Sequence, residues 1–179
     1  MAELDLQELS TQLDSTNSRD RLLALVALKD VAAEDAVPLI RKVLDDDNLQ
    51  VRGMAVFALG LKPTDECLEL LLELLMDDDY SIRAAAAGAL GYLQDVRALE
   101  PLVRIFYEDT DWLVRFSAAV SLGNLRDSRA REALMSGLDS DEVIMHQAAI
   151  AALGEVGAIE GLDKILVSFQ AREWLVRQR

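Results

Sequence analysis

One cysteine and one histidine among 179 residues leave little side-chain chemistry for the chain to perform by itself. A single thiol, Cys67, excludes an internal disulfide and leaves no self-contained zinc or iron–sulfur site. His146 has no Ser, Cys or second His at helical spacing, so it completes neither a nucleophilic triad nor a metal site. Proline and glycine are sparse, and no Ser-rich or low-complexity linker breaks the chain. No apolar run approaches the roughly 20 residues needed to cross a bilayer, and the opening MAELDLQELS lacks both the basic start and the apolar core of a signal peptide. A soluble, cytoplasmic protein without a membrane span is expected. Basic residues are also in deficit: 18 Lys and Arg stand against 32 Asp and Glu, giving a net charge of −14. The unpaired basic surface that DNA or RNA binding requires is missing, so nucleic acid is not an expected partner. No glycine-rich phosphate loop is present, because GALG and LGNL read as helix ends. No catalytic group and no metal ligand set is expected.

What is present is a repeat. Arg21, Arg52, Arg83, Arg115 and Arg177 follow one another at 31, 31, 32 and 62 residues, with His146 at the missing midpoint. Val51, Ile82, Val114, Met145 and Val176 stand just before these positions, and Ala24, Ala55, Ala86, Ala118 and Ala149 stand three after. Leu28, Leu59, Leu90, Leu122 and Leu153 stand seven after. These offsets share one helical face, which is the expected buried stripe. Gly60, Gly91, Gly123 and Gly154 follow the leucines and fit a left-handed cap ending each helix. Asp and Glu cluster before the helix starts, where a carboxylate caps free N–H groups and contributes roughly 0.5–2 kcal/mol. The Asp triplets 45–47 and 77–79 lack the alternating ligands and closing Glu of a calcium loop.

A period in the thirties is the mark of stacked units that bury one another's apolar faces. With an acid or amide at Asn17, Asn48, Asp79, Asp111, Glu142 and Glu173, four residues before each Arg or His, the pattern resembles HEAT repeats. The Ala-Leu-Gly endings are most similar to the cyanobacterial subclass named after phycobilisome lyases (the E/Z type). That resemblance implies an all-α fold, an α-solenoid of about five and a half two-helix repeats. It also implies a ladder between units made by Arg52, Asp79, Arg83, Asp111, Arg115, Glu142 and His146. The whole chain is expected to be one such domain, with units near 3–32, 33–62, 63–94, 95–126, 127–156 and an incomplete 157–179. The first unit has a degraded pattern suited to a cap, with Asn17 for the acid and Lys29 for the glycine. The last stops just after its motif restarts, and this end is expected to be truncated, to fray, or to self-associate. Outer helices are expected near 3–13, 35–44, 65–76, 97–107, 128–138 and 158–169, with Pro38 in the first turn of the second. Inner helices are expected near 19–31, 48–61, 79–93, 111–125 and 141–156.

A second stripe on the inner helices does not repeat. It holds Leu49, Gly53 and Phe57; Tyr80, Ala84 and Gly88; Trp112, Phe116 and Val120; Val143, Gln147 and Ala151; then Trp174 and Gln178. By the resemblance these places approach the concave face. Aromatic anchors there, flanked by small residues, fit a shallow groove for an apolar partner surface such as an amphipathic helix. Trp112 and Phe116 are expected at its centre, with Phe57 and Tyr80 beside them and Val120, Gln147 and Trp174 contributing.

The expected function is therefore a non-catalytic scaffold or adaptor for a partner protein, which the resemblance links to a phycobiliprotein subunit. Two alternatives stand beside this reading, the first of them implied by the resemblance. One is a subunit of a bilin lyase that attaches or removes the chromophore and holds a bilin transiently; otherwise no cofactor is expected. The other is an accessory protein for iron–sulfur cofactor assembly. His146 and Cys67 are expected to be structural, though His146 opposite Glu142 offers a pH-sensitive joint.

Overall fold

A computed structural model describes residues 6–156, in which every regular element is helical. The helices are α1 (Leu6–Leu13), α2 (Ser18–Ala27), α3 (Ala33–Arg41), α4 (Leu49–Gly60) and α5 (Asp65–Leu74). They continue as α6 (Tyr80–Leu93), α7 (Leu99–Glu108), α8 (Trp112–Leu125), α9 (Ser128–Gly137) and α10 (Val143–Val156). Short 3-10 turns at Leu28–Asp30 and Val96–Ala98 extend α2 and precede α7. The sixth unit, with Trp174, Arg177 and the incomplete end, lies outside the described residues.

Each even-numbered helix starts the same way. Asn17, Asn48, Asp79 and Asp111 are extended and accept the N–H two residues on, at 3.1, 2.9, 2.8 and 2.8 Å. This satisfies donors that the first turn leaves open. The N–H of each cap is in turn accepted by the side chain two residues earlier: Ser15, Asp46, Asp77 and Asp109. At the fifth unit Ser140 takes the Glu142 N–H. One turn is thus built four times from two polar side chains.

The expected stripe is the core. Val51, Ala55, Leu59, Ile82, Ala86, Leu90, Val114, Ala118 and Leu122 are buried between helices, with Leu71, Leu102 and Phe106 from the odd-numbered helices behind them. The even-numbered helices pack closely on one another, whereas successive odd-numbered helices barely touch. A two-layer stack spaced in this way curves with its even-numbered layer inside.

The glycines do not cap. Gly60, Gly91 and Gly123 lie inside helices without positive φ, and the left-handed residues are Gln94 and Arg126, three residues later. A Cβ at Gly60 would stand 2.9 Å from the Ala89 Cα, and one at Gly91 2.9 Å from the Ser121 Cα. One at Gly123 would stand 2.9 Å from the Ala152 carbonyl oxygen. These glycines are where neighbouring inner helices touch backbone to backbone. Pro38 also departs from expectation: α3 begins at Ala33, so the proline falls in the second turn, exposed.

Candidate protein-interaction surface

The ladder runs along the edge where the even-numbered helices begin. Arg21 donates to Asp46 at 2.8 Å, and Arg52 donates to Asp77 at 2.8 Å. Arg83 grips Asp109 with two bonds of 2.8 and 3.1 Å. Each of these acids stands two residues before the position expected from the sequence. Asp79 and Asp111 are instead occupied with the first N–H groups of their own helices, while the residue two earlier faces back across the turn toward the preceding unit. The fifth unit has Ser140 at that place, and there Arg115 reaches the expected Glu142 at 2.7 Å. The same cations also reach back to their own turn, Arg21 to the Ser15 carbonyl and Arg83 to that of Asp77. His146 is buried, and its Nδ1 lies 2.8 Å from the Leu138 carbonyl oxygen.

These bonds hold Asp46 and Asp109 charged. Burial raises Asp46 and Asp109, but hydrogen bonds from Arg21 and Arg83, and from the Asn48 and Asp111 N–H groups, outweigh it and leave both below the usual range. Asp79 is lowered by the Ser81 hydroxyl and N–H. Cys67 is fully buried and burial pushes its thiol up, which makes it a core residue rather than a nucleophile. No three of His, Cys, Asp and Glu come together as a metal site among the described residues, and no helix among them is long and apolar enough to cross a membrane.

A cleft of about 520 Å³ opens on the ladder edge, lined in part by Met76, Asp78, Arg83, Arg104, Glu108 and Asp109. Its deepest charges, Arg83 and Asp109, are already paired. The inner face of the stack is chemically different. Across α4, α6 and α8 the only charged residues are Arg52, Arg83 and Arg115, all committed to rungs. Large apolar side chains nevertheless stand out from these helices: Trp112 is 55 % exposed, Tyr80 51 % and Phe57 41 %. Leu49 and Val143 are also exposed, as is Gln147. Phe116 and Val120 are half-buried, with Phe116 packed against the core, so Phe116 forms floor rather than a free anchor.

Two features of this face escaped the sequence reading. Tyr92, 59 % exposed, stacks edge-on against Phe57 with ring centroids 5.6 Å apart. It stands four residues beyond Gly88 and so continues the same stripe by one turn. The other is the absence of free charge from three successive inner helices, visible as LQVRGMAVFALG, YSIRAAAAGALGYL and WLVRFSAAVSLGNL.

Paired helices in a close inner and a splayed outer layer, tied by a regular ladder, define an α-solenoid. The family model of HEAT repeats matches residues 43–123 and 108–179, and the chain belongs to that family. No curated protein matches it in sequence. Among solved structures, it is similar to a chain of the CpcE–CpcF complex of phycocyanin lyase from Nostoc sp. PCC7120. The two share 26 % identity and a TM-score of 0.67 over 82 % of this chain and 96 % of that one. It also shares its fold with a designed armadillo repeat protein in complex with a (KR)4 peptide, at 20 % identity, TM-score 0.55, and 89 % and 90 % of the two chains. Human deoxyhypusine hydroxylase is a more distant fold relative, at 13 % identity and TM-score 0.50, covering 86 % of this chain and 96 % of that one.

Proposed function

We propose that the chain is a non-catalytic scaffold that holds a partner protein against the inner face of α4, α6 and α8. The observation that carries this reading is the combination on one face of exposed Phe57, Tyr80, Tyr92 and Trp112 with no uncommitted charge. Exposed aromatics in an uncharged surround are what interface cores are made of, and truncating such anchors often costs 2 kcal/mol or more of binding. The acidic edges would favour partners with basic rims and disfavour nucleic acid. The likeness to a phycocyanin lyase chain points to a phycobiliprotein subunit as the partner. The test is co-elution of the chain with a phycocyanin subunit on size exclusion. The double variant Tyr80→Ala/Trp112→Ala is expected to lose the complex with its helical circular dichroism intact; an unaffected complex refutes the reading.

The same likeness supports a second reading, a lyase subunit that holds a bilin while it is attached to or removed from its carrier. The exposed Phe57 and Tyr92 rings, packed edge to face, offer apolar surface to a flat chromophore. No uncommitted cation lies on α4, α6 or α8 to meet its propionates, which favours the scaffold. Mixing the protein with phycocyanobilin separates the two: a shifted visible band supports the lyase reading, and an unchanged spectrum together with co-elution supports the scaffold.

A further inference from the structure

We propose that the partner element held by this face is a single α-helix lying along the stack, across α4, α6 and α8. Its buried side carries apolar residues about seven apart, and its flank toward the ladder edge carries lysine or arginine; the proposal rests on the protein-binding reading above. Shape is the first support. The middle of the face on α4 and α6 is floored by Gly53, Ala84 and Gly88, and a Cβ at Gly53 or Gly88 would meet nothing within 4 Å. Glycine inside a helix is destabilising by roughly 0.5–1 kcal/mol relative to alanine, and the fold itself has no use for the missing Cβ at these two places. Leu49 and Tyr80 wall one side of this floor, and the Phe57–Tyr92 pair walls the other. At the helical rise of about 1.5 Å per residue the walls stand roughly 12–18 Å apart. That width seats a helix about 10–12 Å across. An extended strand, which pairs at about 5 Å, would leave it part empty.

Pitch is the second support. Packed helices lie about 8–10 Å apart, so Leu49, Tyr80 and Trp112 recur at that interval along the stack. Seven residues of a partner helix rise about 10.5 Å, which brings one side chain per heptad to each unit. Charge is the third. Exposed Asp47, which also takes a bond from Arg21, and exposed Asp78 precede Leu49 and Tyr80 by two residues, and exposed Glu108 ends α7 four residues before Trp112, with no exposed cation on α4, α6 or α8. A partner helix is thus required to be uncharged where it is buried, favoured if basic on the ladder side, and repelled if acidic there.

The test is to pan a displayed library of randomised 21-residue peptides, biased toward helix formers, against the full chain. Expected are enriched peptides with large apolar residues seven apart and Lys or Arg along one flank. These peptides should lose at least ten-fold in affinity for Gly88→Leu, which fills open space, with Gly53→Leu as the second variant and circular dichroism as the check on folding. Enriched peptides that lack the spacing yet weaken on Trp112→Ala overturn the helix and leave the protein-binding face standing. Peptides indifferent to Gly88→Leu, Tyr80→Ala and Trp112→Ala alike, or no enrichment over an unrelated bait, overturn both.

Discussion

Two kinds of glycine sit in the inner helices and they answer to different demands. Gly60 and Gly91 are touched by the backbone of the next unit, so a methyl group there must push two helices apart, whereas Gly53 and Gly88 face open space. Gly60→Ala or Gly91→Ala is therefore expected to destabilise the protein by about 2 kcal/mol. Gly53→Ala or Gly88→Ala is expected to stabilise it by about 0.5–1 kcal/mol, since only the helix propensity changes. Urea midpoints of the four variants check this, and equal shifts in both pairs would refute the distinction. The sequence shows Gly60, Gly91 and Gly123 at a fixed offset but not why, because a recurrent glycine near a helix end looks the same whether it turns the chain or lets a neighbour in. The decisive quantity is a distance between two helices about thirty residues apart. Aromatic exposure was legible position by position for Phe57, Tyr80 and Trp112; Phe116 shares their stripe but is pressed into the core by its neighbours.

At the scale of the elements, each inner helix from α4 to α10 starts at a turn whose backbone N–H is taken by a polar side chain and which offers a carboxylate to the unit before it. The period of the arginines made a ladder legible, but the register of its acids was not. Asp77 and Asp79 differ by two residues and only the turn geometry decides which caps and which pairs. The pH dependence follows. Asp46, Asp79 and Asp109 lie below their ordinary value of 3.8 in the native state, and Asp127, bonded to the Arg129 side chain, is lowered to about 2. Between these limits the unfolded chain binds more protons than the folded one, so this contribution is complete above about pH 5 and is lost as pH falls through the lowered values. The urea midpoint is expected to be level from pH 7 to 5 and to drop below pH 4. Asp109→Asn should lower the unfolding free energy by about 2 kcal/mol at pH 7 and flatten the acid limb, because the Arg83–Asp109 pair is largely buried, with only 6 % of the Asp109 side chain exposed. An acid limb unchanged in that variant would remove Asp109 from the account.

One joint has its own device. Lys62 is buried and its Nζ donates to the carbonyls of Lys29 and Val31, closing the degraded end of the first inner helix. Nothing in the local sequence announces it, since the acceptors lie more than thirty residues away. Lys62→Met leaves one buried and one part-buried acceptor without their donor, a loss of about 1–3 kcal/mol. Amide exchange in α1 and α2 should accelerate while α6 and α8 keep their protection; uniform acceleration would show that the joint does not act locally.

The molecule as a whole is a stack in which neighbouring units bury one another's apolar faces in one continuous core, and this is why the fold was plain from the sequence while the task was not. Helices, their order and their buried faces follow from a period that recurs five times among the described residues. The inner face is defined by what does not recur, and a non-repeating stripe gains meaning only once curvature gathers it onto one surface and every cation on α4, α6 and α8 is seen to be spent on a rung. On the scaffold reading proposed above, function rests on shape and apolar contact. The most direct measurement is hydrogen–deuterium exchange of the full chain alone and saturated with a phycocyanin subunit. Protection confined to α4, α6 and α8 is the predicted result; protection restricted to the odd-numbered helices, or none at saturation, would contradict the account.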